Sequence, residues 1–220
     1  MRPLPLVVVL AAFGCAHAKP ASPPTGSPTP TRTPAVSIDP GPRSRSPGLE
    51  DLVGDDLAED HAFPWSAARP LIWSDFQADP PAGGAEGAVT AYGLYYAWKC
   101  LGEAFEFRVI AGFRPRQSWV KAVVVGNPAE SRRTLRHEQT HFDLSEVHAR
   151  MMRRSFANLT GACRRRDGEL TGLARRLLDE EKAEQRRYDG ETNHGLDSAQ
   201  QAAWNQAVAR RLTALRRYAP

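Results

Sequence analysis

Cysteine is scarce in this 220-residue sequence: three are present, at positions 15, 100 and 163, and neither Cys100 nor Cys163 lies in a CxxC pair or near a histidine at ligand spacing. A zinc–thiolate site therefore has no basis in the sequence. Aromatic residues are missing from the densest basic run, Arg164-Arg165-Arg166, which argues against a nucleic-acid groove and predicts no nucleic-acid partner. Residues 61–220 hold 24 Lys plus Arg against 18 Asp plus Glu, within a formal net charge of +4. Solvated helix faces account for that excess, with attraction to anionic envelope surfaces as the other reading.

Large apolar side chains are almost absent from residues 15–60, where nine prolines fall between positions 16 and 50. Such a stretch buries too little surface to offset its ordering entropy, so a disordered tether is expected there, followed by one folded domain over 61–220. Ahead of it, residues 1–14 read as one Arg and a short apolar run. That is the layout of a secretory signal, too short to span a membrane. Gly14-Cys15 resembles a bacterial lipoprotein cleavage site, with Cys15 as the lipidated residue. An ordinary signal peptide cut near Ala16 or Ala18 is the alternative. Lipidation would place a tethered domain in the cell envelope, periplasmic or extracellular, anchored to a membrane. It would also leave Cys100 and Cys163 as an even pair in a compartment that permits disulfides, and they are predicted to be bonded.

Strand signals begin at PLIWSDF, residues 70–76. In the run 89–100, Thr90, Tyr92, Leu94, Tyr96 and Trp98 share one face; after a turn at Gly102, Phe105, Phe107, Val109, Ala111 and Phe113 do the same. This alternation predicts an antiparallel hairpin. QSWVKAVVV, residues 117–125, reads as a third strand, stopped by Gly126-Asn127-Pro128. Beyond Pro128 the apolar period changes from 2 to about 3.6, predicting helices over 129–158, 167–188 and 198–217, the first capped by Asn127 with Pro128 at its first position. The expected fold class is α+β, with helices covering one face of a small antiparallel sheet.

The helix expected at 129–158 contains His137-Glu138-Gln139-Thr140-His141. Positions four apart lie about 40° apart around a helix, so His137 and His141 can grip one ion. Zn2+ suits two neutral imidazoles, and a catalytic site adds one more protein ligand and keeps a position for water. Glu138, about 100° from His137 around the axis, can reach that water as general base. Asp143 and Glu146 are candidates to orient the imidazoles from behind, though both can equally pair with nearby arginines. His148 lies roughly 16 Å along the axis from His137 and cannot share the ion. The HExxHxxGxxH extension is absent, so a third ligand must come from elsewhere, and the acid-rich run 177–195 is the place to look.

Taken together, IWSDFQ (72–77), AVTAYGLYY (88–96), QSWV (117–120), RHEQTHFDLSEVHAR (136–150) and YDGETNHG (188–195), followed by Gln200 and Trp204, resemble the bacterial domain of unknown function 922, a family of predicted secreted zinc-dependent proteases. The resemblance implies a zincin-like fold centred on His137, Glu138 and His141, and a functional role for residues 188–195. Within that block His194 is the favoured third ligand, aimed inward by a turn at Gly195, and Asp189 is the alternative. Tyr188 is a candidate hydrogen-bond donor to an oxyanion, or else a core aromatic. Two functions stay open: a zinc metallopeptidase acting on peptide or cell-wall peptide, or a non-catalytic envelope binding or assembly module with a structural zinc.

Overall fold

The computed structural model describes residues 10–12 and 48–220. Strand β1 (Leu10–Ala12) is followed by α1 (Leu49–Glu59), β2 (Phe63–Pro64), β3 (Ala88–Val89), β4 (Tyr92–Leu101), β5 (Ala104–Phe113) and β6 (Trp119–Val120). Helices α2 (Ala122–Gly126), α3 (Pro128–Ala157), α4 (Asp167–Thr192) and α5 (Ser198–Ala214) complete the chain. The fold is α+β, with a small antiparallel sheet and five helices among the described residues. The expected lipidation of Cys15 lies outside the described residues, as does most of the expected signal and tether.

The hairpin pairs Tyr92 with Phe113 at one end and Leu101 with Ala104 at the other, turning at Gly102, whose φ of 65° suits a residue without a Cβ. Sheet order is β1-β4-β5-β2. The face bearing Tyr92, Leu94, Tyr96, Trp98, Val109, Ala111 and Phe113 packs on Phe142, Ala149, Met152 and Phe156 of α3 and on Leu170, Ala174 and Leu178 of α4. The opposite face is also covered, contrary to expectation. Leu49, Val53 and Leu57 of α1 bury Tyr95 and Ala97. Helix α1 thus occupies the end of the segment read as tether. Its three buried residues recur every fourth position, a one-sided stripe masked by the acidic residues between them.

Two strand expectations are corrected. Around PLIWSDF the chain makes a 3-10 turn at Trp73–Asp75, because the Asp75 carboxylate accepts from the Ile72 N–H at 3.0 Å and from Arg69 at 2.7 Å. QSWVKAVVV yields only β6, paired with β3 in a separate two-stranded sheet, before α2 begins. The helical turn buries Val124 and leaves Val123 and Val125 exposed. Tertiary context here overrides the strand preference of three valines.

The three long helices match their expected positions. Asn127 caps α3 by accepting from the N–H groups of Ala129 and Glu130. Leu144 and Val147, on another side of α3, pack with Tyr188, Trp204 and Val208, so α3 is enclosed by sheet and helices. A disulfide joins Cys100 at the end of β4 to Cys163 in the α3–α4 connection. Among the described residues, no helix is long and apolar enough to cross a membrane.

Candidate metal centre

Three elements meet at the middle of α3. His137 and His141 project from one side of that helix toward the last turns of α4, where Asp189 faces them. Nε2 of His137 and Nε2 of His141 are 3.1 Å apart, and Oδ1 of Asp189 lies 3.2 Å from the first and 2.9 Å from the second. Tetrahedral ligands at zinc distances of 2.0–2.1 Å would stand about 3.3 Å from one another. The three donor atoms thus converge at nearly the separation a shared ion requires. This His137–His141–Asp189 group can hold a metal ion.

The far side of each ring is fixed by an amide. Nδ1 of His137 faces Oε1 of Gln201 at 3.1 Å, and Nδ1 of His141 faces Oε1 of Gln185 at 2.7 Å. With the proton on Nδ1, each imidazole donates to its glutamine and presents the Nε2 lone pair to the centre. The glutamines are held in turn. Gln201 donates to Asn205 at 2.7 Å and to the Tyr188 hydroxyl at 2.8 Å; Gln185 donates to the Glu181 carboxylate at 2.8 Å and to the His141 carbonyl at 3.1 Å. Glu181 is fully buried and accepts from Tyr92 at 2.6 Å.

The electrostatics favour a cation. Burial alone would lower the pKa of His141, but its hydrogen bond to Asp189, together with the charges of Asp189 and Glu138, overrides that and raises it to about 9. Burial disfavours the charged form of Asp189 as well. Hydrogen bonds from His137 and His141 outweigh it and hold the carboxyl well below the usual range. Two imidazoles and an ionised carboxylate, at these spacings, form a donor set that suits zinc.

Glu138, 4% exposed, lines the same pocket as the three donors, a cavity of about 580 Å³ walled by β3, α2, α3 and α4. Its backbone is tied to the β3–β4 corner, where the Thr90 hydroxyl donates to the Glu138 carbonyl at 3.3 Å.

Several sequence expectations are corrected here. His194 lies at the pocket edge with its side chain 66% exposed, and its Nδ1 is 3.8 Å from Asp189 Oδ1; it is not in the convergent group. Residues 193–195 form the left-handed end of α4, with φ values of 47°, 52° and 78°, which swings His194 outward. Gly195 has a different use. A Cβ there would meet the Cβ and ring of His137 at 3.0–3.2 Å, so its smallness lets the chain press against His137. Tyr188 is fully buried, stacked on the His137 ring at 4.7 Å and 20°. Its hydroxyl donates to the His137 carbonyl at 3.2 Å, beneath the site and away from the pocket, which fits the core-aromatic reading. Burial pushes its pKa upward.

Asp143 and Glu146 do not touch the imidazoles. Asp143 accepts from Trp65 and from Gln139, each at 2.8 Å. Glu146, fully buried, binds Arg150 at 2.7 Å and Arg153 at 3.1 Å. The orienting role belongs to Gln185 and Gln201. A signal for Gln185 was available, since Glu181, Gln185, Tyr188 and Thr192 recur at helical spacing as a stripe on α4, and all four are buried. Gln201 stands one residue beyond Gln200, which itself is exposed.

The fold and site define an α+β protein with a His/His/Asp group able to hold a metal ion. Over residues 117–195 the chain resembles the family described as Bacterial protein of unknown function (DUF922). The matched span covers all of α3 and α4, including His137, Glu138, His141 and Asp189. No curated protein and no solved structure matches the chain.

Proposed function

We propose that this protein is a zinc-dependent peptidase of the bacterial cell envelope, zincin-like in architecture, with His137, His141 and Asp189 as the zinc ligands. The observation that carries the reading is the convergence of three protein donors, with no fourth among the described residues, in a pocket that Glu138 also lines. A three-donor site keeps a position for water, as catalytic zinc sites do, whereas structural sites are closed by a fourth protein ligand. This favours the enzyme over a binding module with a structural zinc.

When bound, zinc would supply Lewis acidity toward a substrate carbonyl and make a coordinated water more acidic. Glu138 would serve as the proton carrier, taking a proton from a water that attacks the carbonyl carbon and giving it to the amide nitrogen as the C–N bond breaks. Gln185 and Gln201 hold the imidazoles in the tautomer that leaves Nε2 free. Thr90 and Gly195 keep α3 pressed between the β3–β4 corner and the α4 terminus, so the donors stay in place.

The Gly14-Cys15 pair after a short apolar run and the long proline-rich segment support an envelope location, with lipidated Cys15 as the proposed membrane anchor and peptide or cell-wall peptide as the proposed substrate. Glu138→Gln provides the test. The variant is expected to keep one zinc per chain and lose at least a hundredfold in kcat for a cleaved peptide, the usual scale of a lost general base. Equal turnover by the variant would end the assignment.

A further inference from the structure

The pocket walls are cationic apart from the residues assigned to zinc and proton transfer. Lys121, Arg133, Lys182 and Arg186 line it, against Glu86 and Glu130. Arg133 stands 3.9 Å from Glu130, and Lys121 donates to the Gly84 carbonyl at 2.7 Å. Lys182 and Arg186 differ from these. Both are on α4, and among the described residues neither has an ion-pair partner, although the next arginine, Arg187, is paired to Glu184 at 2.9 Å.

Their placement relative to Asp189 has a direct consequence. Arg186 precedes Asp189 by three residues and Lys182 by seven, which puts them about 60° and 20° from it around the axis and roughly 4.5 and 10.5 Å along it. The two cations therefore run up the pocket wall from the metal ligand. An extended peptide advances about 3.3 Å per residue, so a chain lying along α4 would bring its side chains past these charges one to three residues from the bond at the metal centre.

We infer that this wall selects a substrate chain bearing carboxylates within about three residues of the cleaved bond, on the side that runs along α4. The inference rests on the peptidase reading for its cleavage point, but the charge recognition itself does not need turnover. Carboxylates from acidic side chains in a protein and from the acidic residues of cell-wall peptides share this chemistry. Lys182 and Arg186 each contribute a partly solvated ion pair, and two such pairs together give about fivefold to tenfold in affinity.

The experiment uses the zinc-loaded full chain and labelled Ser/Gly/Ala peptides carrying glutamates, glutamines or lysines, with binding read by fluorescence anisotropy and cleavage read separately by mass. The glutamate peptide is expected to bind about fivefold to tenfold tighter than the glutamine peptide, with the difference shrinking as salt rises. Lys182→Gln/Arg186→Gln should abolish it and Lys182→Glu/Arg186→Glu should reverse it toward the lysine peptide. Equal binding of all three peptides, or a glutamate preference unchanged in the neutral double variant, overturns the inference whether or not peptides are cut. Preferential binding without any cleavage upholds the carboxylate site and counts against the peptidase reading alone. Cell-wall peptides, run as a further arm against the protein-like glutamate peptides, separate the two sources of carboxylate.

Discussion

Asp189 does more at the centre than any other residue outside α3, because its single oxygen Oδ1 approaches both imidazoles. Asp189→Asn keeps the shape and removes the charge. It is expected to abolish stable zinc retention on dialysis, measured by elemental analysis, while His194→Ala leaves retention unchanged. Gln185→Ala and Gln201→Ala remove the groups behind the rings, and each should weaken zinc about 10–100-fold in a chelator competition. Gly195→Ala brings a methyl to 3.0 Å from His137 at a φ of 78°. Loss of zinc affinity is expected there with little change in helix content by circular dichroism. At this scale the two histidines and Glu138 were legible because five consecutive residues carry the geometry. The third member of the convergent group was not, since both His194 and Asp189 fit the composition and only the helix ending at Thr192 separates them: Asp189 is still helical and faces the two histidines, while His194 lies past the left-handed residue that ends the helix.

Helices α3, α4 and α5 are tied by charge as well as by packing. His148 on α3 and Arg211 on α5 both bind Glu184 on α4, at 2.7 Å each. Burial opposes ionisation of Glu184, but the hydrogen bonds from His148 and Arg211 prevail and lower its pKa from 4.5 to about 2. A carboxyl with a depressed folded-state pKa contributes stability above its unfolded value and loses it as pH falls through the folded one. The contribution of Glu184 should therefore be intact above pH 4.5 and vanish as pH approaches about 2. Urea melts of the wild type and Glu184→Gln should differ at neutral pH and converge in acid; a constant gap across that window would show that the tie does not titrate. Helix positions were readable because the apolar period changes from 2 to about 3.6 after Pro128, and side chains of Asn127 and Asp197 cap α3 and α5. Helix α2 was hidden, since VVV looks like a strand until Val124 alone is found to be buried.

The described residues form a hairpin sheet clad on both faces, α1 on one side and the α3–α4–α5 group on the other. The alternation in β4 pointed to one buried face; burial of Tyr95 and Ala97 on the second needs a partner helix from a segment whose prolines and acids suggested none. The Cys100–Cys163 disulfide closes a loop of 63 residues between the hairpin and the far end of α3. Cys100→Ser/Cys163→Ser is expected to lower stability by roughly 2–4 kcal/mol, seen as a lower urea midpoint with the site still able to take up zinc.

The arrangement of sheet, α3 and α4 serves to bring three donor atoms within about 3 Å of one another, and zinc K-edge X-ray absorption on the loaded full chain tests that claim most directly. Two imidazole nitrogens and light oxygen ligands at 2.0–2.2 Å, with the zinc signal lost in Asp189→Asn, is the predicted result. A zinc shell that includes a third imidazole and is unchanged by Asp189→Asn, or a chain that takes up no zinc, would contradict it.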